Sequence, residues 1–324
     1  MKPGDKTRAL AEWGLLTALA VVIGLAGVFL PPLYFFTAVL FPVPLILLVM
    51  KLDSCYGLAG LAAAAVFLII FVPAPAAVVL IVQYGLLGIL YGILFKNRVS
   101  SGATVSAGLL GACVLALAAA CLVYALTGEN PFVFDEENVR AAEQWLAENY
   151  GAGALKNVPP ELQGDFSKKI ISFMELFIPG QFVITSAFAA AVTYFLARAV
   201  LIRLGFSLPP ALAFSRITLP WYSIYGLIAG LGLTLAGDQF SVPAAARAGK
   251  NILFVLFYVY LVLGVSVAAY FYRLVSLPGP VKVIFLLMAL IYLPFAAALV
   301  LALGVTDPLV NLRRLPSLKD RDGL

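Results

Sequence analysis

"RALAEWGLLTALAVVIGLAG", residues 8–27, decides the fold. Beyond Glu12 the stretch is apolar without the period-two alternation of a strand, and it has the ~20-residue length a helix needs to cross a bilayer core. It predicts a membrane-spanning helix. Lys2, Lys6 and Arg8 precede it in the manner of a signal-peptide n-region, but the run is too long for one and lacks a clear A-x-A cleavage site, so it is expected to stay as a helix. Glu12 stands at its lip, four residues after Arg8. A carboxylate deep in a membrane points to chemistry, whereas an i, i+4 pair at the interface contributes little stability. The other acids near apolar runs, Asp53 and Asp238, lie at span ends and build no proton relay with it. Glu12 therefore reads as an interfacial charge, with docking to a partner as the lesser alternative.

The whole chain repeats this composition. Of 324 residues, 63% are hydrophobic and 11% charged, with a mean hydropathy of +1.04, too little polar surface for a soluble protein of this size. Only helices or closed barrels satisfy their backbone amides in lipid, and the apolar runs are continuous. The fold class is all-α, a polytopic transmembrane helical bundle. No histidine is present, which removes Ser-His and Cys-His nucleophile pairs and HExxH zinc sites. Cys55, Cys113 and Cys121 fall in apolar runs without CxxC spacing and read as small hydrophobes. Gly249-Lys250 lacks the upstream glycine and following Ser/Thr of a P-loop. The chain is expected to be no enzyme, to carry no cofactor or metal, and to draw no energy from ATP by itself. Its formal charge of +5 is scattered between apolar segments, a topology signal rather than a nucleic-acid one.

Apolar segments fall at about 8–30, 33–50, 54–72, 75–95, 102–126, 178–201, 217–236, 251–275 and 281–304. The count of crossings is eight or nine. The second segment is short and carries Pro42 and Pro44, which predicts a kink or partial burial in protein. The last is interrupted by Pro294 and is the leading candidate for a piece that does not cross. With the N-terminus in the cytoplasm, Lys51, Lys96, Arg98, Arg198, Arg203, Arg216, Arg273 and Lys282 share the cytoplasmic side, as the positive-inside rule requires. Arg247, Lys250, Arg313, Arg314, Lys319 and Arg321 stand against nine crossings.

Residues 127–177 are the one sizeable polar insertion, extracytoplasmic on this orientation. Asp135 is placed to cap a helix through "EENVRAAEQWLAENY". In "FSKKIISFMELF", residues 166–177, Phe166, Ile170, Phe173, Met174 and Phe177 recur at helical spacing, predicting a helix along the membrane surface.

Small residues four apart permit close helix approach: Gly14 and Ala18, Ala20 and Gly24, Gly60 and Ala64, Gly88 and Gly92, Gly108 and Ala112, Gly226 and Gly230. Most are expected to pack within the chain, the remainder to dock a partner helix. Polar side chains inside spans are few and thus informative. Gln83 with Tyr84, Gln181 with Thr185, and Tyr34 and Tyr124 at outer ends are candidates to line an outward-facing pocket. The competing reading gives the tyrosines to an aromatic belt and the glutamines to interhelical hydrogen bonds.

The order of motifs "TRALAEWGLLTALAVV", "FPVPLILLVM", "YGLAGLAAAAV", "QYGLLGILYGILFKNR", "LPPALAFSRITLPWY" and "GVTDPLVNLRR" resembles the YybS-type family of bacterial membrane proteins over nearly the whole chain. That family's N-terminal six spans are similar to the S component of energy-coupling-factor transporters. The resemblance implies a small-molecule-binding subunit in the bacterial cytoplasmic (inner) membrane, docked to a transmembrane coupling subunit and ATPases. On this sequence it implies a first-helix docking face of Ala11, Gly14 and Ala18 and a pocket of Gln83, Tyr84, Gln181, Thr185 and Tyr124. It divides the chain into 1–216, S-component-like with the 127–177 insertion, 217–304 of additional helices, and a polar tail at 305–324. The insertion and the additional helices depart from a minimal S component. A non-transporting envelope scaffold or regulator is the alternative function.

Overall fold

Every described element of the computed structural model is a helix, as the absence of water for backbone amides demands. The structure describes residues 3–128, 130–133, 139–140, 169–276 and 278–315. The cap at Asp135, nearly all of the "EENVRAAEQWLAENY" helix, Trp145 and Phe166 lie outside them. Among the described residues eight helical stretches are long and apolar enough to cross a membrane, by length and composition.

The chain divides into two compact units, Met1–Ala141 with Phe182–Ala211, and Ala142–Gln181 with Leu212–Leu324. The first contains α1 (Pro3–Phe29), α2 (Tyr34–Leu40), α3 (Pro42–Lys51), α4 (Ser54–Phe71), α5 (Ala74–Val78), α6 (Leu86–Lys96), α7 (Ser101–Thr127) and most of α8 (Ile178–Arg203). The second apolar segment is largely buried, as its prolines predicted, and its two pieces α2 and α3 join at Phe41, which keeps helical dihedrals (φ −53°, ψ −39°), with Pro42, whose missing N–H is harmless in a first turn, opening α3. Nearly all of α3 is buried, with Leu45, Ile46, Leu48 and Val49 at 0% exposure. A helix apolar all round belongs at the centre of a bundle. Its neighbours reach it by omitting side chains: a Cβ on Gly88 of α6 would stand 2.9 Å from the Pro42 carbonyl oxygen, and one on Gly92 would stand 2.6 Å from Val49 Cβ. Trp13 Nε1 donates to the Tyr56 carbonyl at 3.1 Å, joining α1 to α4. Outward positions such as Leu15, Ile70 and Leu110 are exposed, as a lipid-facing surface should be.

At one end of this unit Asp53, extended at φ −171°, caps α4 by accepting from Ser54 N at 2.8 Å, and Lys96 Nζ lies 3.1 Å from the same oxygen. Glu12 pairs with Arg8 at 3.3 Å, as the sequence indicated, and also with Lys51 at 3.4 Å, a partner that only the tertiary structure brings.

The second unit is built on α9 (Ile224–Gln239), α10 (Pro243–Leu274), α11 (Gly279–Ile291) and α12 (Leu293–Val310). Gly230 of α9 rests on Ile252 and Leu253 of α10, and Gly264 of α10 and Gly304 of α12 put the backbones of those helices in direct contact at Val300 and Tyr260. Two sequence boundaries are corrected. The 217–236 segment becomes a 3-10 turn, Trp221–Ser223, and α9, whose 16 residues fall short of the ~20 a crossing helix needs. The 281–304 segment is not one helix: it breaks at Tyr292 (φ −99°, ψ 41°), two residues before Pro294. The longer piece is therefore α12, which carries on to Val310 through what hydropathy assigned to a polar tail and holds Asp307 against Arg313.

Gly304→Val is expected to cost about 1–3 kcal/mol, since overpacking here meets backbone rather than a mobile side chain; thermal unfolding of the purified protein measures it. At Asp53, the Ser54 N–H first and Lys96 second hold the carboxyl below its ordinary value. A lowered pKa adds stability that is complete above the unfolded value of about 3.9 and disappears as pH falls through the folded one. Wild type should therefore exceed Asp53→Leu in melting temperature at pH 6 by a small margin that shrinks toward pH 3.

Candidate functional site

Gln83 lies on Val79–Gly85, a π-helical stretch between α5 and α6, where the Leu86 N–H reaches back five residues to the Ile81 carbonyl. Such stretches cost hydrogen-bond quality and concentrate at functional sites. The side chain is 3% exposed and donates through Nε2 to Ser186 Oγ of α8 at 3.1 Å. The Ser186 hydroxyl in turn donates to the Phe182 carbonyl at 2.7 Å, which uses its one proton. Gln83 Oε1 is left buried with no hydrogen-bond partner, as are Thr17 Oγ1 and Tyr194 OH of the same unit. Below this point α8 continues as a narrow face of small residues that take polar groups: Tyr91 OH donates to the Ala190 carbonyl at 3.0 Å, and Thr193 Oγ1 donates to the Val39 carbonyl at 3.2 Å. Gly108 leaves room for the Tyr91 ring. The buried polar side chains of the unit are Thr17, Thr37, Gln83, Ser101, Thr104, Ser186 and Thr193, none of them charged.

The five pocket candidates differ in burial. Tyr84 is buried beside Gln83 at 7% exposure. Thr185 of α8 and Tyr124 of α7 are exposed, and Gln181, also exposed, belongs to the second unit. Ser186 was missed although it adjoins Thr185. Its signal was the need of a buried glutamine for a partner in a span offering few polar groups. On α1, Ala11 and Ala18 are exposed, and a Cβ on Gly14 would meet nothing within 4 Å. Gly60, Gly88, Gly92, Gly108, Gly226 and Gly230 are by contrast filled from within the chain.

The second unit holds a different polar device. Asn251 of α10 accepts from Gly180 N at 2.7 Å and donates to the carbonyls of Leu176 and Arg247 at 2.8 and 2.9 Å. These groups flank the break at Phe177, where the 169–176 helix gives way to α8. Arg247 adds a bond to the Glu175 carbonyl at 3.1 Å. The 169–176 helix matches the amphipathic stretch of the sequence, exposing Phe173 and Met174, and Phe177 stacks toward Phe254 with centroids 4.7 Å apart.

Asn251→Leu strands the Gly180 N–H and the Leu176 carbonyl in an apolar setting. A loss of about 1–3 kcal/mol is expected in thermal unfolding.

The family model described as Predicted membrane protein (DUF2232) matches residues 18–308, and the chain belongs to that family. No curated protein and no solved structure matches it.

Proposed function

We propose that this member of the family is the small-molecule-binding membrane subunit of a transporter, S-component-like and energised by separate partners, as the YybS-type resemblance implies. The observation that carries the reading is Gln83 Oε1, a buried acceptor without a partner on a π-helical turn. Leaving such an atom unpaired costs on the order of 1–3 kcal/mol, and a ligand N–H or O–H would recover it. The surrounding buried polar groups carry no charge, which favours a neutral, hydrogen-bonding molecule over an ion. The open face at Ala11, Gly14 and Ala18 offers a partner helix the close approach that the other small-residue pairs already use internally. The setting of this proposal is the bacterial cytoplasmic membrane with the N-terminus inside, and eight crossings would return Arg313 and Arg314 to that same side.

Native mass spectrometry of the protein released gently from its own membrane tests this. The wild type should carry a small molecule, together with a coupling subunit or ATPase. Gln83→Leu should lower ligand occupancy about tenfold, the equivalent of one hydrogen bond of ~1–1.5 kcal/mol. The same variant should keep or raise thermal stability, because it removes an unpaired atom while Ser186 stays bonded to Phe182. A partner without ligand favours the scaffold reading, and a wild type without either overturns the transporter reading.

A further inference from the structure

Asp307 and Arg313 are buried at 4% and 3% exposure in the second unit, far from Gln83 in sequence and unrelated to the ligand argument. Arg313 reads as a topology marker from sequence, a charge free in a polar tail. The chain instead reverses after α12, with Asn311 at φ 50° and Arg314 at φ 49°, and the guanidinium folds back onto the helix that precedes it. Nε and Nη2 grip Asp307 as a fork, at 3.3 Å to Oδ1 and 2.6 Å to Oδ2. Nη1 donates to the Ser215 carbonyl at 2.9 Å and Ser266 Oγ at 3.0 Å, and Nη2 also donates to the Ile217 carbonyl at 2.6 Å. Ser266 of α10 passes its own proton to the Phe214 carbonyl at 2.7 Å. All five N–H donors of the arginine are used.

One cation thus rivets three segments: α12 through Asp307, α10 through Ser266, and the connector 212–223 through the carbonyls of Ser215 and Ile217. That connector has no long helix of its own. It consists of extended chain and the 3-10 turns Phe214–Arg216 and Trp221–Ser223, with a further tie from Tyr260 OH to Ser223 Oγ at 3.1 Å. The packing of α10 on α12 rests on something else, the backbone contacts at Gly264 and Gly304. The geometry points to a latch: residues 311–315 clip the connector in place through Arg313, and they open and close as a unit without separating the helices. The all-or-none character follows from burial, since neither charge is stable there once the other leaves. The turn is a unit of its own: the Asn311 side chain accepts from Leu315 N at 3.0 Å and donates to the Leu315 carbonyl at 2.9 Å, so residues 311–315 keep their shape while Arg313 alone ties them to the connector.

Cysteine accessibility tests the latch. Ser215 is 6% exposed and lends the rivet only its backbone carbonyl, so Ser215→Cys, with Cys55, Cys113 and Cys121 replaced by alanine, reports opening without touching the ion pair. In detergent-solubilised protein a water-soluble maleimide should label this cysteine slowly. Adding Arg313→Lys, which keeps the charge but loses the fork, or Asp307→Asn, which keeps the shape but loses the counter-charge, should raise the labelling rate at least tenfold, with the melting temperature of the helices nearly unchanged. Asp307→Leu with Arg313→Met removes both charges and should label fast while melting like wild type. Protection that persists in all three overturns the latch. So does labelling that rises only in step with global unfolding, because the pair would then be part of the helix core.

Discussion

In lipid no water reaches a membrane-spanning helix, and a buried hydrogen-bonding group there is either answered by protein or left unpaired, as Gln83 Oε1, Thr17 Oγ1 and Tyr194 OH are. Helices answer the amides. The remaining polar groups are answered one at a time, and the structure is organised around where those answers are found. Asn251 settles the helix break at Phe177, Arg313 settles the connector at Ser215 and Ile217, and Ser186 settles half of Gln83. The other half, Oε1, stays unanswered.

Since lipid is as apolar as a leucine side chain, helices gain little from hiding apolar surface from it and associate through close packing. Glycines supply that packing in both units, most directly where Gly264 and Gly304 place α10 against α12 and where Gly88 rests on Pro42. Not every helical glycine is used this way, since Gly14 of α1 and Gly232 of α9 have open space before them.

The two polar devices differ in kind. Around Gln83 the buried groups are uncharged and carried on helix faces. At Arg313 the groups are ionic and tie an irregular connector to two helices. Buried ion pairs add little net stability for what they cost in desolvation, and their directionality suits a part that must be either seated or released.

The sequence by itself determined the environment and the class of fold, because 63% hydrophobic content in continuous runs leaves lipid-embedded helices as the only way to satisfy the backbone. It also located the junction in the second segment through Pro42 and the weak point near Pro294, since proline acts on its own helix. It singled out Gln83 by scarcity alone. Hydropathy weighs residues one by one and knows nothing of pairing, so it ended the last helix before Asp307 and read Arg313 as a free charge. The tertiary structure alone decided that these two belong together, that Lys51 joins Glu12, and that Ser186 meets Gln83. Each is a contact between groups that local periodicity cannot pair, and in a dry interior the partner determines whether a polar residue is tolerated at all.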